Sequence, residues 1–159
     1  MIDKKTHSRC LILACGNPSR GDDGAAWRLA EMAAVAGLPE GVRLMVQQQW
    51  TPELAEDLAG CEAVLFVDCS VADEAGAVTL TEVRAAEKAP NYLTHHMEAP
   101  GLLRLAAELY GEGPERADLL VIGGESLGYT EDLSPAVEAA LPRALELLRN
   151  WAATQACIQ

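Results

Sequence analysis

Three short segments of the sequence are apolar on both faces, and they constrain the fold more than any other feature. Their sequences are RCLILAC, AVLFVDCS and ADLLVIGG, at residues 9–15, 63–70 and 117–124. Strands of this kind need cover on both faces, as central strands of a parallel sheet do. A fourth strand is predicted at 42–48. The segment 75–83 alternates better and follows its predecessor too closely for a helical crossover, so we expect an antiparallel edge strand there.

Helical patterns occupy the segments between these strands. Apolar residues recur at helical spacing from 26 to 33, and Thr51-Pro52 and Ser134-Pro135 are typical of helix starts. A further helix is predicted over 100–110, and Pro142 is expected to kink or break the last helix. The alternation of strands and helices predicts an α/β fold. We expect a three-layer sandwich whose central sheet is mostly parallel and has one antiparallel edge strand.

Length and charge limit the kind of protein this is. The 159 residues fit one domain, spanning 1–159. Twelve basic and 24 acidic side chains give a formal net charge of -12, which would repel a nucleic-acid backbone or an anionic membrane surface. No segment approaches the roughly 18 to 20 apolar residues of a membrane span or contains the apolar run of a signal peptide. We therefore expect a cytoplasmic protein that binds neither nucleic acid nor membrane.

The segment GNPSRGDDG, from Gly16 to Gly24, connects the first strand to the first helix. Its first two glycines have the spacing of a phosphate-binding loop. However, Asp22 and Asp23 stand where such a loop carries lysine and serine or threonine, so the segment favours a cation. Alternatively, either aspartate could cap the following helix, and this is the interpretation we prefer for Asp22.

A candidate metal site follows from the expected topology. In α/β sheets of this kind, ligands bind beyond the carboxyl ends of the strands, which would bring together Asp23, Asp68 and His95. Two carboxylates and an imidazole suit a divalent metal ion of borderline hardness. His95 and His96 are adjacent and point in opposite directions on extended backbone, so at most one of them is expected to join the site. Either one could also be an ordinary loop histidine.

Cys69 offers a second chemical interpretation of the same region. It lies beside Asp68, and a histidine on a neighbouring loop could activate it as a nucleophile. Nearby carboxylates would raise the pKa of its thiol and keep it protonated. We therefore expect Cys69 to pack in the interior.

Four segments resemble, in order and spacing, the hydrogenase maturation endopeptidases. They are LILACGNPSRGDDGAAWRLAE, QQWTPELAEDLAGCEAVLFVDCSVADEAGAV, THHMEAPGLLRLAAELYG and VIGGESLGYTEDLSPAVEAALPRALELL. Together they span about residues 10 to 148, and the glycine-rich segment is the most specific of them.

The resemblance implies an α/β fold and a soluble hydrolase. The implied enzyme is an aspartyl protease-like endopeptidase that removes a C-terminal peptide from the nickel-loaded precursor of a NiFe hydrogenase large subunit. Nickel would then be carried by the substrate, which is also the implied partner. By position, Asp23, Asp68 and His95 are the implied metal ligands and catalytic residues. Three alternatives stay open: a non-catalytic nickel-binding or sensing module on the same fold, a different peptidase on this fold, and an acidic nucleotide-binding domain.

Overall fold

The computed structural model describes residues 9–88 and 97–157, and its centre is a five-stranded sheet. The strands are β1 (Cys10–Cys15), β2 (Val42–Gln47), β3 (Ala63–Ser70), β4 (Val78–Glu82) and β5 (Arg116–Gly123). Their order across the sheet is β2, β1, β3, β5, β4. β4 pairs antiparallel with β5, and the other neighbours pair in parallel. The predicted mostly parallel sheet with one antiparallel edge strand is therefore confirmed.

Helices cover both faces of this sheet. They are α1 (Ala25–Ala36), α2 (Leu54–Ala59), α3 (Ala99–Tyr110) and α4 (Pro135–Cys157). Side chains that alternate along β1 point to opposite faces. Ile12 therefore packs in the core beneath α1 and α4, whereas Leu11 and Leu13 pack beneath α2 and α3. This arrangement confirms the predicted three-layer sandwich. Within the described residues, none of the helices combines the length and the apolar character needed to cross a membrane.

Two helices differ from the sequence prediction. α2 begins at Leu54 rather than at the predicted start near Thr51. The preceding residues form a turn, in which the N–H of Leu54 donates a hydrogen bond to the carbonyl of Thr51. α4 is one continuous helix through Pro142, so the predicted break does not occur. Pro142 removes the hydrogen-bond donor that the carbonyl of Glu138 would use. Both residues are exposed, so water can satisfy that carbonyl.

Candidate functional site

The carboxyl ends of the parallel strands open into a cleft of about 480 Å³, which we call the acidic cleft. Its lining consists of Cys15, Asn17, Arg20, Asp23, Gln48, Gln49, Trp50, Asp68, Met97 and Glu98. The volume is in the range of ligand sites and has room for a short peptide segment. The structure therefore places Asp23 and Asp68, two of the three predicted site residues, in the lining of one cleft.

The third predicted residue, His95, lies outside the described residues, and so does His96. Met97 follows them in the sequence and lines the acidic cleft. Within 9–88 and 97–157, no group of three or more His, Cys, Asp or Glu side chains is placed to hold a metal ion. The described part of the chain contributes two carboxylates, and the histidine ligand stays a prediction.

The glycine loop, residues 16–24, holds Asp23 by close backbone packing. A Cβ atom at Gly16 would lie 1.9 Å from the carbonyl oxygen of Asp23, so only glycine allows this approach. The backbone N–H of Asn17 donates a hydrogen bond of 2.8 Å to Asp23 Oδ2. Among the described residues, Oδ1 has no hydrogen-bond partner. The carboxylate is therefore fixed through one oxygen and has the other available.

Asp68, near the end of β3, has a carboxylate that is likewise hydrogen-bonded through only one of its oxygens among the described residues. Its Oδ1 accepts a hydrogen bond of 2.8 Å from the N–H of Cys69, and its Oδ2 has no partner in the described part of the chain. Burial raises the pKa of Asp68 to about 6; the Cys69 hydrogen bond lowers this pKa, whereas the negative charge of Asp23 raises it. A bound cation would stabilise the ionised form of Asp68 and offset the repulsion from Asp23.

Asp22 does not cap a helix, so that prediction is wrong. Neither the 3-10 turn at Gly21–Gly24 nor α1 has a side-chain cap hydrogen bond. Asp22 is only 1% exposed, and its carboxylate instead holds the loop between β5 and α4, residues 124–134. The donors are the backbone N–H groups of Glu125, Ser126 and Ser134 and the hydroxyl of Ser134, at 2.7 to 3.2 Å.

These hydrogen bonds determine the charge state of Asp22. Burial alone would raise the pKa of Asp22, but the hydrogen bonds from Ser134, Glu125 and Ser126 outweigh it, so the pKa is lowered. The partners lie more than 100 residues away in the sequence. For that reason, local helix-start chemistry suggested the wrong role.

Two cysteines lie close to the carboxylates, and both are poor nucleophiles. Cys69 is buried, and burial together with the charges of Asp22 and Asp68 raises its pKa to about 12. Burial and the charges of Asp68 and Asp23 do the same for Cys15, which lines the cleft. A thiol with such a pKa is protonated at neutral pH. The expectation that Cys69 packs in the interior is confirmed.

Sequence reasoning missed the residues that follow β2. Gln48, Gln49 and Trp50 line the acidic cleft because β2 runs parallel to β1 and ends at the same edge. The Trp50 ring packs edge-on against Phe66, with centroids 5.3 Å apart. Its buried Nε1 has no hydrogen-bond partner among the described residues. Only the strand order, which puts β2 beside β1, could have indicated this lining.

Fold and cleft together define a small three-layer α/β protein with an acidic site beyond the carboxyl ends of its parallel strands. No protein-family model matches the sequence, and no curated protein matches it significantly. Solved structures give a clear match. The chain is 27% identical to the hydrogenase maturating endopeptidase HybD from E. coli, over 88% of this chain and 89% of that one, with a TM-score of 0.67.

Two archaeal structures also match over most of the chain. A hydrogenase 2 maturation peptidase from a Thaumarchaeota archaeon is 26% identical over 90% of this chain and 97% of that one, with a TM-score of 0.67. The NiFe hydrogenase maturation protease HybD from Thermococcus kodakarensis shares the fold at 22% identity, over 91% and 99% of the two chains, with a TM-score of 0.66. The resemblance to hydrogenase maturation endopeptidases is thereby confirmed.

Proposed function

We propose that this chain is an endopeptidase that removes a C-terminal peptide from the nickel-loaded precursor of a NiFe hydrogenase large subunit. The observation that carries the proposal is the pair Asp23 and Asp68, which line one cleft and each keep one carboxylate oxygen without a described partner. Structural relatives at 26 to 27% identity that are named as maturation endopeptidases support it.

In this proposal nickel is part of the substrate and brings ligands of its own. Asp23 and Asp68 of the enzyme bind the ion through their available oxygens, and His95 supplies a nitrogen ligand. Carboxylate and imidazole ligands suit a borderline divalent ion, which fits the chemistry of this donor set. Binding the ion also places the adjoining peptide bond in the acidic cleft. When a precursor without nickel binds, no cation balances the negative charges of Asp23 and Asp68.

The reaction is hydrolysis of one peptide bond. Water adds to the carbonyl carbon, the C–N bond breaks, and the amine leaves with a proton. A metal ion beside the bond can polarise the carbonyl or lower the pKa of a bound water. The enzyme's own residues fix the ion and orient the bond. The thiols of Cys15 and Cys69 keep their protons and take no covalent part.

The test compares nickel-loaded and nickel-free precursor. Each is incubated with the purified protein, and the intact mass of the large subunit is measured. We expect the nickel-loaded precursor alone to lose its C-terminal peptide. Equal cleavage of both forms would contradict nickel dependence. Binding of the nickel-loaded precursor without any shortened product would support the alternative, a non-catalytic nickel-binding or sensing module.

A further inference from the structure

An exposed tyrosine contacts Arg20, a residue that lines the acidic cleft. Tyr129 lies in the β5–α4 loop and is 93% exposed, so it contributes little to the core. The guanidinium carbon of Arg20 lies 5.3 Å from the centroid of its ring, within cation-π distance. Arg20 also lines the acidic cleft. The pair thus connects the cleft lining to the outer surface.

The loop that carries Tyr129 is held firmly to the glycine loop. Besides the hydrogen bonds to the Asp22 carboxylate, three bonds join the two loops: Gly21 N to Thr130 O at 2.7 Å, Asp22 N to Ser126 O at 3.0 Å, and Arg20 Nη2 to Leu127 O at 3.1 Å. At Gly21, with φ of +58°, a Cβ atom would come within 2.9 Å of Ser126 O. Tyr129 is therefore an exposed aromatic side chain on a pre-organised loop, which lowers the entropy cost of binding a partner.

Arg20 adds hydrogen-bonding capacity to this pair. It is the cationic side chain of a cleft lining that otherwise carries the acids Asp23, Asp68 and Glu98. A guanidinium has five N–H donors. One of them bonds the Leu127 carbonyl, and the others have no partner among the described residues. They remain available to carbonyl oxygens of a bound polypeptide.

We propose that Arg20 and Tyr129 form the docking anchor for the precursor polypeptide beside the scissile bond, an inference that rests on the proposed function. Arg20 donates to backbone carbonyl oxygens, and an aliphatic side chain of the precursor lies on the Tyr129 ring. Tyrosine and arginine are enriched among residues that dominate binding energy at interfaces. The acids of the cleft disfavour an acidic segment, so the segment that docks is neutral or basic.

The experiment measures steady-state cleavage of nickel-loaded precursor by wild type, Tyr129→Ala and Tyr129→Phe. We expect Tyr129→Ala to raise KM about 10-fold with kcat nearly unchanged, because the anchor acts in binding. Tyr129→Phe keeps the ring and should stay close to wild type. Arg20→Lys keeps the positive charge but loses the planar guanidinium that lies over the Tyr129 ring. It should raise KM by a smaller factor than Tyr129→Ala does.

Tyr110→Ala is the matched control. Tyr110 is 48% exposed and ends α3, which begins beside the cleft and runs about 17 Å away from it. Its KM should equal that of wild type, and thermal melts should show that all variants fold. A KM for Tyr129→Ala within twofold of wild type would overturn the docking proposal alone. Absence of cleavage by wild type would overturn the proposed function and the docking proposal together.

Discussion

Asp22 is buried and Asp68 is half-buried, yet their surroundings shift the two pKa values in opposite directions. Asp22 accepts four hydrogen bonds, and its pKa is lowered despite its burial. Asp68 accepts one, from its own neighbour, and burial raises its pKa to about 6. Around Asp22, hydrogen bonds stabilise the carboxylate, and the same bonds hold the β5–α4 loop in place. The acidic cleft leaves the Asp68 carboxylate partly without partners, as expected of a group kept for a ligand.

The comparison also explains why adjacent aspartates have different roles. Asp22 turns inward and joins two loops, whereas Asp23, the next residue, lines the cleft. The hydrogen bonds of Asp22 hold the loop that presents Asp23 and Arg20. By holding the glycine loop in place, Asp22 thus also fixes the position of Asp23 in the cleft lining.

The largest expected effect is on stability, at Asp22. Asp22→Ala leaves the backbone donors of Glu125, Ser126 and Ser134 without their acceptor, and we expect a loss of about 3 to 5 kcal/mol in the free energy of unfolding. Urea denaturation measures it. Ser134→Ala is the control and should cost about 1 to 2 kcal/mol, because it removes one hydroxyl donor to Asp22 and the acceptor of the Val137 N–H at the start of α4. A loss below about 1 kcal/mol for Asp22→Ala would show that Asp22 is not structural.

Asp68→Asn should have the opposite effects from Asp22→Ala, a large loss of cleavage activity and little loss of stability. We expect cleavage of nickel-loaded precursor to fall at least about 100-fold, because an amide is a weaker ligand for a cation than a carboxylate. The free energy of unfolding at pH 7 should stay equal or rise by about 1 to 2 kcal/mol, since a desolvated charge is removed. Intact mass and urea midpoints measure the two effects. Marked destabilisation would show that Asp68, like Asp22, stabilises the fold, and would contradict the difference drawn between the two aspartates.

The stability difference between wild type and Asp68→Asn should depend on pH. The pKa of Asp68 is about 6 in the folded chain and has an ordinary value of 3.8. The folded state therefore holds this proton more tightly, and ionisation costs stability at pH values above 6. That cost should fade between about pH 6 and pH 4, so the urea midpoints of the two proteins converge on acidification. A difference that grows on acidification would contradict the sign of the pKa shift.

The smallest expected effect is on stability at Trp50, whose buried N–H is a neutral group without a partner among the described residues. Trp50→Phe removes a buried N–H that has no partner in the described residues and keeps an aromatic ring against Phe66. We expect the free energy of unfolding to change by about 1 kcal/mol or less, because removing an unpaired buried N–H offsets part of the packing that is lost with the larger ring. Thermal melts measure it. A loss well above this value would contradict the expectation and would mean that the indole contributes packing or a hydrogen bond that phenylalanine cannot replace.

Local pattern was enough to predict the layers of this fold. The apolar segments at 63–70 and 117–124 became β3 and β5 nearly to the residue, and the placement of 75–83 at an antiparallel edge is confirmed by β4. Strand ends at a common edge also indicated Asp23 and Asp68 correctly as neighbours in one cleft. These successes rest on periodicity and on the topology of parallel sheets.

What the sequence did not reveal depends on contacts between distant segments. The role of Asp22 depends on donors from the β5–α4 loop, and the lining by Gln48 and Trp50 depends on which strand lies beside β1. The continuity of α4 depends on Pro142 having solvent beside it. Each is set by tertiary placement, which local spacing does not encode.

The most direct test of the account is cleavage of nickel-loaded precursor by Asp23→Asn, Asp68→Asn and a control, followed by intact mass. The control is Glu112→Gln, at an exposed acid just after α3 and outside the cleft lining. We predict a shortened large subunit with wild type and Glu112→Gln, and full-length subunit with both cleft variants at the same time points. Cleavage at the wild-type rate by either cleft variant would contradict the account.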